Sequence, residues 1–138
     1  MVQFSPHGNT RFEIEGLVIV LRPDSSLNEE EIARLWAQAF QAVPGFAGER
    51  WAMLYIAESA VLLTPEAEKL ARQALEALVK QRFSGLAMVI RNDDAGWLIE
   101  AQMRRIYSGV DCELRVFAEE EDARCWLDQY LGDALPAF

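Results

Sequence analysis

Apolar positions in this chain form two kinds of run, unbroken stretches of five to seven residues and stripes at helical spacing, and their alternation sets out the fold. In residues 11–15, Phe12 and Ile14 alternate with Arg11, Glu13 and Glu15, the period-two mark of a strand wetted on one face. Gly16 separates this segment from residues 17–21 (LVIVL), a β-branched run that needs cover on both faces, so the two read as a hairpin turning near Gly16. Residues 51–57 (WAMLYIA) and 86–90 (LAMVI) are two more unbroken runs and predict central strands. Residues 112–117 carry Glu113 and Arg115 within the run, which predicts an edge strand opposite the edge at 11–15.

Helical stripes fill the intervals. After the turn chemistry of Arg22, Pro23, Asp24, Ser25 and Ser26, Asn28 is placed to cap a helix, with Leu27 packing on Ile32 as a hydrophobic staple. Ile32, Leu35, Trp36, Ala39, Phe40 and Val43 then make its inward stripe until Pro44-Gly45. Thr64-Pro65 opens the second helix as N-cap and first-turn proline. Its stripe of Ala67, Leu70, Ala71, Ala74, Leu75, Leu78 and Val79 is predicted to run to about Arg82 and break by Ser84-Gly85. A third helix is expected from about Ala95 to Tyr107 behind the Asn92-Asp93-Asp94 caps. Leu98, Ile99, Met103 and Ile106 would face inward, and Trp97 and Tyr107 to the side. The acids from Glu119 to Asp122 suit the start of a last helix, whose Ala123, Trp126, Leu127, Tyr130 and Leu131 face inward before Gly132 stops it.

The order β-β-α-β-α-β-α-β-α predicts one α/β domain, a mostly parallel central sheet of about five strands flanked by four helices. Residues 1–10 are read as a flexible lead-in, 11–132 as the domain and 133–138 as a C-terminal tail. Charge narrows the partners: with 13 basic and 22 acidic residues the net charge is -9, a field that repels phosphate backbones and anionic lipid headgroups. No apolar run approaches the roughly 18–20 residues of a membrane span. Neither nucleic acid nor integral membrane association is expected.

Chemistry is sparse. The only histidine, His7, lies in the polar lead-in, and no glycine-rich phosphate loop follows any predicted strand. Cys112 and Cys125 have no paired CxxC spacing, so a zinc ligand set is missing. The acid runs at 29–31 and 119–122 sit in first turns of helices and read as solvated, dipole-favoured faces. No catalytic residue, cofactor or metal is expected, and with no basic, apolar leader at the start a cytoplasmic location is expected. A hydrolase built on Cys112 or Cys125 is the enzymatic rival, which a low-pKa thiol would reveal.

The element order, with Phe117, a run of acids, then Ala123, Trp126 and Leu127, resembles the STAS superfamily of sulfate-transporter and anti-sigma-factor-antagonist domains, in its branch of small bacterial SpoIIAA-like proteins. The resemblance covers about residues 11–131. It implies a non-enzymatic regulatory or protein-interaction module, a homodimer included, and its kinship with the CRAL-TRIO lipid-binding fold implies the alternative of a carrier or sensor of a small hydrophobic ligand. The resemblance also sets Thr64 at the family's phospho-acceptor position, although the preceding aspartate is replaced by Leu63 and Pro65 follows. In parallel sheets, loops at the carboxyl ends of the strands gather binding groups. That rule brings Val61, Leu62, Leu63, Thr64 and Trp97 to one predicted partner or ligand surface.

Overall fold

In a computed structural model the described residues are 10–23, 29–57, 62–90 and 93–132. The expected cap Asn28, the staple Leu27 and the loop residue Val61 lie outside them, as do residues 1–9 and 133–138. Strands β1 (Arg11–Glu15) and β2 (Val18–Arg22) form the hairpin, with Arg11 opposite Arg22, Glu15 opposite Val18, and Gly16 at a φ of 60° that glycine adopts without strain. Strands β2, β3 (Trp51–Ala57), β4 (Phe83–Ile90) and β5 (Glu113–Phe117) pair in parallel, giving the order β1-β2-β3-β4-β5. The sheet is therefore mixed, which corrects the expectation of a mostly parallel one. The link from β1 to β2 is too short for a crossover, so that pair must run antiparallel.

Each parallel connection steps one strand in the same direction. A common hand of crossover then stacks α1 (Glu29–Ala42), α2 (Pro65–Val79) and α3 (Asp94–Tyr107) on one face. There Ile32, Leu35, Ala71, Leu75, Ile106 and Tyr107 pack on Ile19, Leu21, Met53 and Leu86. The last helix, α4 (Glu120–Gly132), alone covers the other face, with Ala123 and Leu127 against Val20, Ala52, Leu54 and Ala87.

The structure departs from the sequence reading at several points. Helix α2 stops at Val79, and Ser84-Gly85 belongs to β4 rather than breaking a helix. Phe83 stacks on Trp51 at 4.8 Å, Trp51 on Phe46 at 5.1 Å, and the Trp51 indole donates to the Gln81 carbonyl at 2.8 Å, which draws the strand start back to Phe83. Gly85 lets α4 approach closely, since a Cβ there would lie 3.0 Å from the Tyr130 ring and the ring would have to give way by a few tenths of an ångström. Glu31, expected on a solvated face, is 2% exposed and accepts hydrogen bonds from the Arg34 guanidinium at 2.8 Å and the Thr10 backbone N–H at 2.9 Å. Burial pushes this carboxyl up, but the Arg34 and Thr10 donors outweigh it and hold the group below its ordinary value. Thr10, assigned to the lead-in, is thereby buried and tied to α1. In α3 the inward stripe is Ile99, Gln102, Met103, Ile106 and Tyr107, whereas Leu98, expected inside, is 48% exposed.

Candidate functional site

Helices α1, α2 and α3 do not close fully onto the sheet. Between them lies a cavity of about 60 Å³, walled by Leu21, Met53, Tyr55, Leu86 and Met88 of the strands and by residues of all three helices. A single water needs roughly 10–15 Å³ of such space, so several water-sized groups would fit. The α1 wall is Ile32, Leu35 and Trp36, the α2 wall is Ala71 and Leu75, and α3 contributes Ile99, Gln102, Met103, Ile106 and Tyr107. No charged side chain lines it among the described residues. Three of the chain's four methionines, Met53, Met88 and Met103, are in the wall, and their unbranched thioethers adapt to an irregular occupant. Burial pushes the phenol of Tyr55 well above its ordinary value, so it stays neutral and able to donate.

One side of the cavity is held shut by an amide. Gln102 on α3 is buried; its Oε1 accepts from the Leu63 N–H at 2.9 Å, while its Nε2 donates to the Leu63 carbonyl at 3.0 Å and to Glu68 Oε1 at 3.1 Å. The side chain thus copies a strand partner for the residue that leads into α2 and presses Leu63 into the cavity wall. Arg105 donates to Glu68 at 2.6 and 3.0 Å, and this hydrogen bonding, helped by Gln102, holds the Glu68 carboxyl below its ordinary range against a smaller burial effect. Thr64, next in the chain, is exposed, and its Oγ1 accepts from the Ala67 N–H at 3.1 Å, the cap geometry that its Thr-Pro sequence predicts.

No family model matches this chain, and no curated protein matches it. Among solved structures, an uncharacterized protein of the DUF3478 family with a SpoIIAA-like fold, from Shewanella loihica PV-4, aligns with a TM-score of 0.66 at 17% identity, over 92% of this chain and 99% of that one. The fold is SpoIIAA-like. At such identity the likeness speaks for architecture and not for activity.

Within this SpoIIAA-like fold the predicted surface divides. Leu63 lines the cavity, but Leu62 and Trp97 are outside it, 47% and 69% exposed, with Thr64 also on the surface. Trp97 instead borders a shallow polar depression with Glu100, Arg104 and Phe117. The Asp93 carboxylate accepts from the Gly96 N–H at 2.8 Å and caps α3. Burial, with Asp111 and Glu113 nearby, pushes the Cys112 thiol up to about 12, the opposite of an activated nucleophile. Among the described residues no group of His, Cys, Asp or Glu is placed to hold a metal ion, and no helix is long and apolar enough to cross a membrane.

Proposed function

We propose that this SpoIIAA-like domain is a non-catalytic, STAS-like binding module that holds a small apolar molecule between its sheet and the three helices of one face. The cavity carries this reading. Well-packed interiors leave few voids larger than a water, and an apolar one gains nothing from water inside it. Adaptable methionines and one amide-pinned segment, Leu63, surround the space. These features favour a ligand carrier or sensor over catalysis, and the raised Cys112 thiol argues in the same direction.

A second reading, a regulatory module that docks a protein partner or a second copy of itself in the cytoplasm, draws on the exposure of Trp97, Leu98 and Leu62. Native mass spectrometry of freshly purified protein separates the two. An added mass of a few hundred daltons or less on the monomer supports the ligand reading. A bare monomer that also fails to take up added ethylbenzene contradicts it, and a bare dimer or a protein complex favours the second.

A further inference from the structure

The cavity wall contains hydrogen-bond donors that no described residue accepts from. Trp36 lines it, and the Trp36 indole N–H is buried with no acceptor among the described residues. Tyr55 lines it from the centre of the sheet, and its hydroxyl makes no hydrogen bond to another described residue. An indole N–H only donates. Buried polar groups are nearly always paired, so an orphaned donor in the wall of an empty space marks where a partner belongs.

Tyr107 brings a second phenol to the wall, while Gln102 is already engaged. Gln102 spends its carbonyl on the Leu63 N–H and both amide hydrogens on the Leu63 carbonyl and Glu68. What is left is one donor-only group, Trp36, and two phenols able to donate, Tyr55 and Tyr107, in a wall without cationic side chains among the described residues. A carboxylate or phosphate placed there would lose its hydration and meet no positive charge. A pure hydrocarbon would leave the indole unpaired.

Building on the proposed apolar ligand, we infer that the natural occupant is a small apolar molecule bearing a neutral hydrogen-bond acceptor, such as a ketone, aldehyde, ester or ether oxygen, which accepts from the Trp36 indole. Binding selectivity then follows from the donor: among molecules of one size the neutral acceptor wins, the hydrocarbon comes next, and the anion is excluded.

Three probes of similar size test this: acetophenone, ethylbenzene and benzoate, titrated into the full chain and followed through the tryptophan indole N–H signals, with Trp36 assigned by Trp36→Phe. Acetophenone is expected to bind about tenfold more tightly than ethylbenzene, as one neutral hydrogen bond allows. It should also move the Trp36 indole proton downfield, whereas benzoate should not bind in the millimolar range. In Trp36→Phe the preference for acetophenone over ethylbenzene should vanish while ethylbenzene still binds. Equal affinity for the two neutral probes with an unmoved Trp36 signal overturns the inference and leaves the apolar-ligand reading standing, as does benzoate binding as well as acetophenone. Failure of all three to bind overturns both. The shift in the unmodified protein decides the matter if Trp36→Phe does not fold.

Discussion

The two faces of the sheet are built from the same strands and differ in how they are filled. On the α4 face small residues, Ala52, Ala87 and Gly85, lie beneath Ala123, Trp126, Leu127 and Tyr130, and a Cβ on Gly85 already has no free room. Its rim is clamped by charge: Arg22 donates to Glu120 at 2.9 and 3.2 Å, and Arg124 donates to both Glu120 and Glu15. On the opposite face three helices must meet over larger, flexible side chains, and they leave a cavity whose wall holds the Trp36 indole N–H, unpaired among the described residues. The face covered by one helix is solid, and the face covered by three is hollow. Extra covering elements do not guarantee tighter packing; matched side-chain volumes do.

That contrast is most sharply tested by making the same substitution on both faces. Ala87→Leu, beneath α4, should destabilise the protein by about 3 kcal/mol, the upper end of overpacking in a filled core. Ala71→Leu, in the cavity wall, should change stability by less than about 1 kcal/mol, because the added carbons enter free space. Chemical denaturation measures both, and equal losses would show that the two faces are equally full.

A smaller effect is expected from the amide that pins Leu63. Gln102→Leu keeps the size of the side chain but strips the Leu63 N–H and carbonyl of their partners, which should lower stability by about 1–2 kcal/mol. Hydrogen exchange should show faster opening of the start of α2, and no change in β4 beneath α4.

The smallest effect belongs to the charged rim. Hydrogen bonds from Arg124 to Glu15, and from Arg22 and Arg124 to Glu120, hold these carboxyls below their ordinary value of 4.5. Their folded values are lower than their unfolded ones, so the rim adds stability that is complete above about pH 5 and is lost as pH falls through the folded values. All of these groups are partly exposed, so solvent screening limits the total to about 1 kcal/mol or less. Arg124→Gln should therefore be less stable than the parent at pH 7, with the gap closing as pH falls through the folded values of Glu15 and Glu120, as thermal melts at descending pH would show.

The sheet and helices are legible in the sequence because their signals are local: unbroken apolar runs such as 51–57, and the Thr64-Pro65 cap, whose hydrogen bond is present. The start of β4 is not, because Ser84-Gly85 reads as a breaker until Tyr130, some 45 positions away, shows that a side chain at Gly85 would crowd the ring packed on the strand. The cavity is not legible either, since empty space arises from how distant side chains fail to meet. One trace of it was present. Positions 99, 102, 103 and 106 have the i, i+3, i+4, i+7 spacing of a buried stripe, so Gln102 occupies a core position, while the apolar Leu98 is off that stripe and exposed. A glutamine at a core position signals a buried hydrogen-bonding task. The predicted surface at 61–64 and Trp97 rested on strand order, which brings segments to one end of the sheet without saying which side chains turn inward; of the described residues among them only Leu63 reaches the cavity.

The most direct test of the ligand-binding claim uses the methionine methyl groups, because Met53, Met88 and Met103 line the cavity and the fourth, Met1, stands at the start of the chain. Titration of ethylbenzene into the protein, followed by methionine-methyl NMR, should give saturable ring-current shifts of the Met53, Met88 and Met103 methyls, and Ala71→Leu should suppress them. Cavity methyls that stay in place at saturating ethylbenzene would contradict the account.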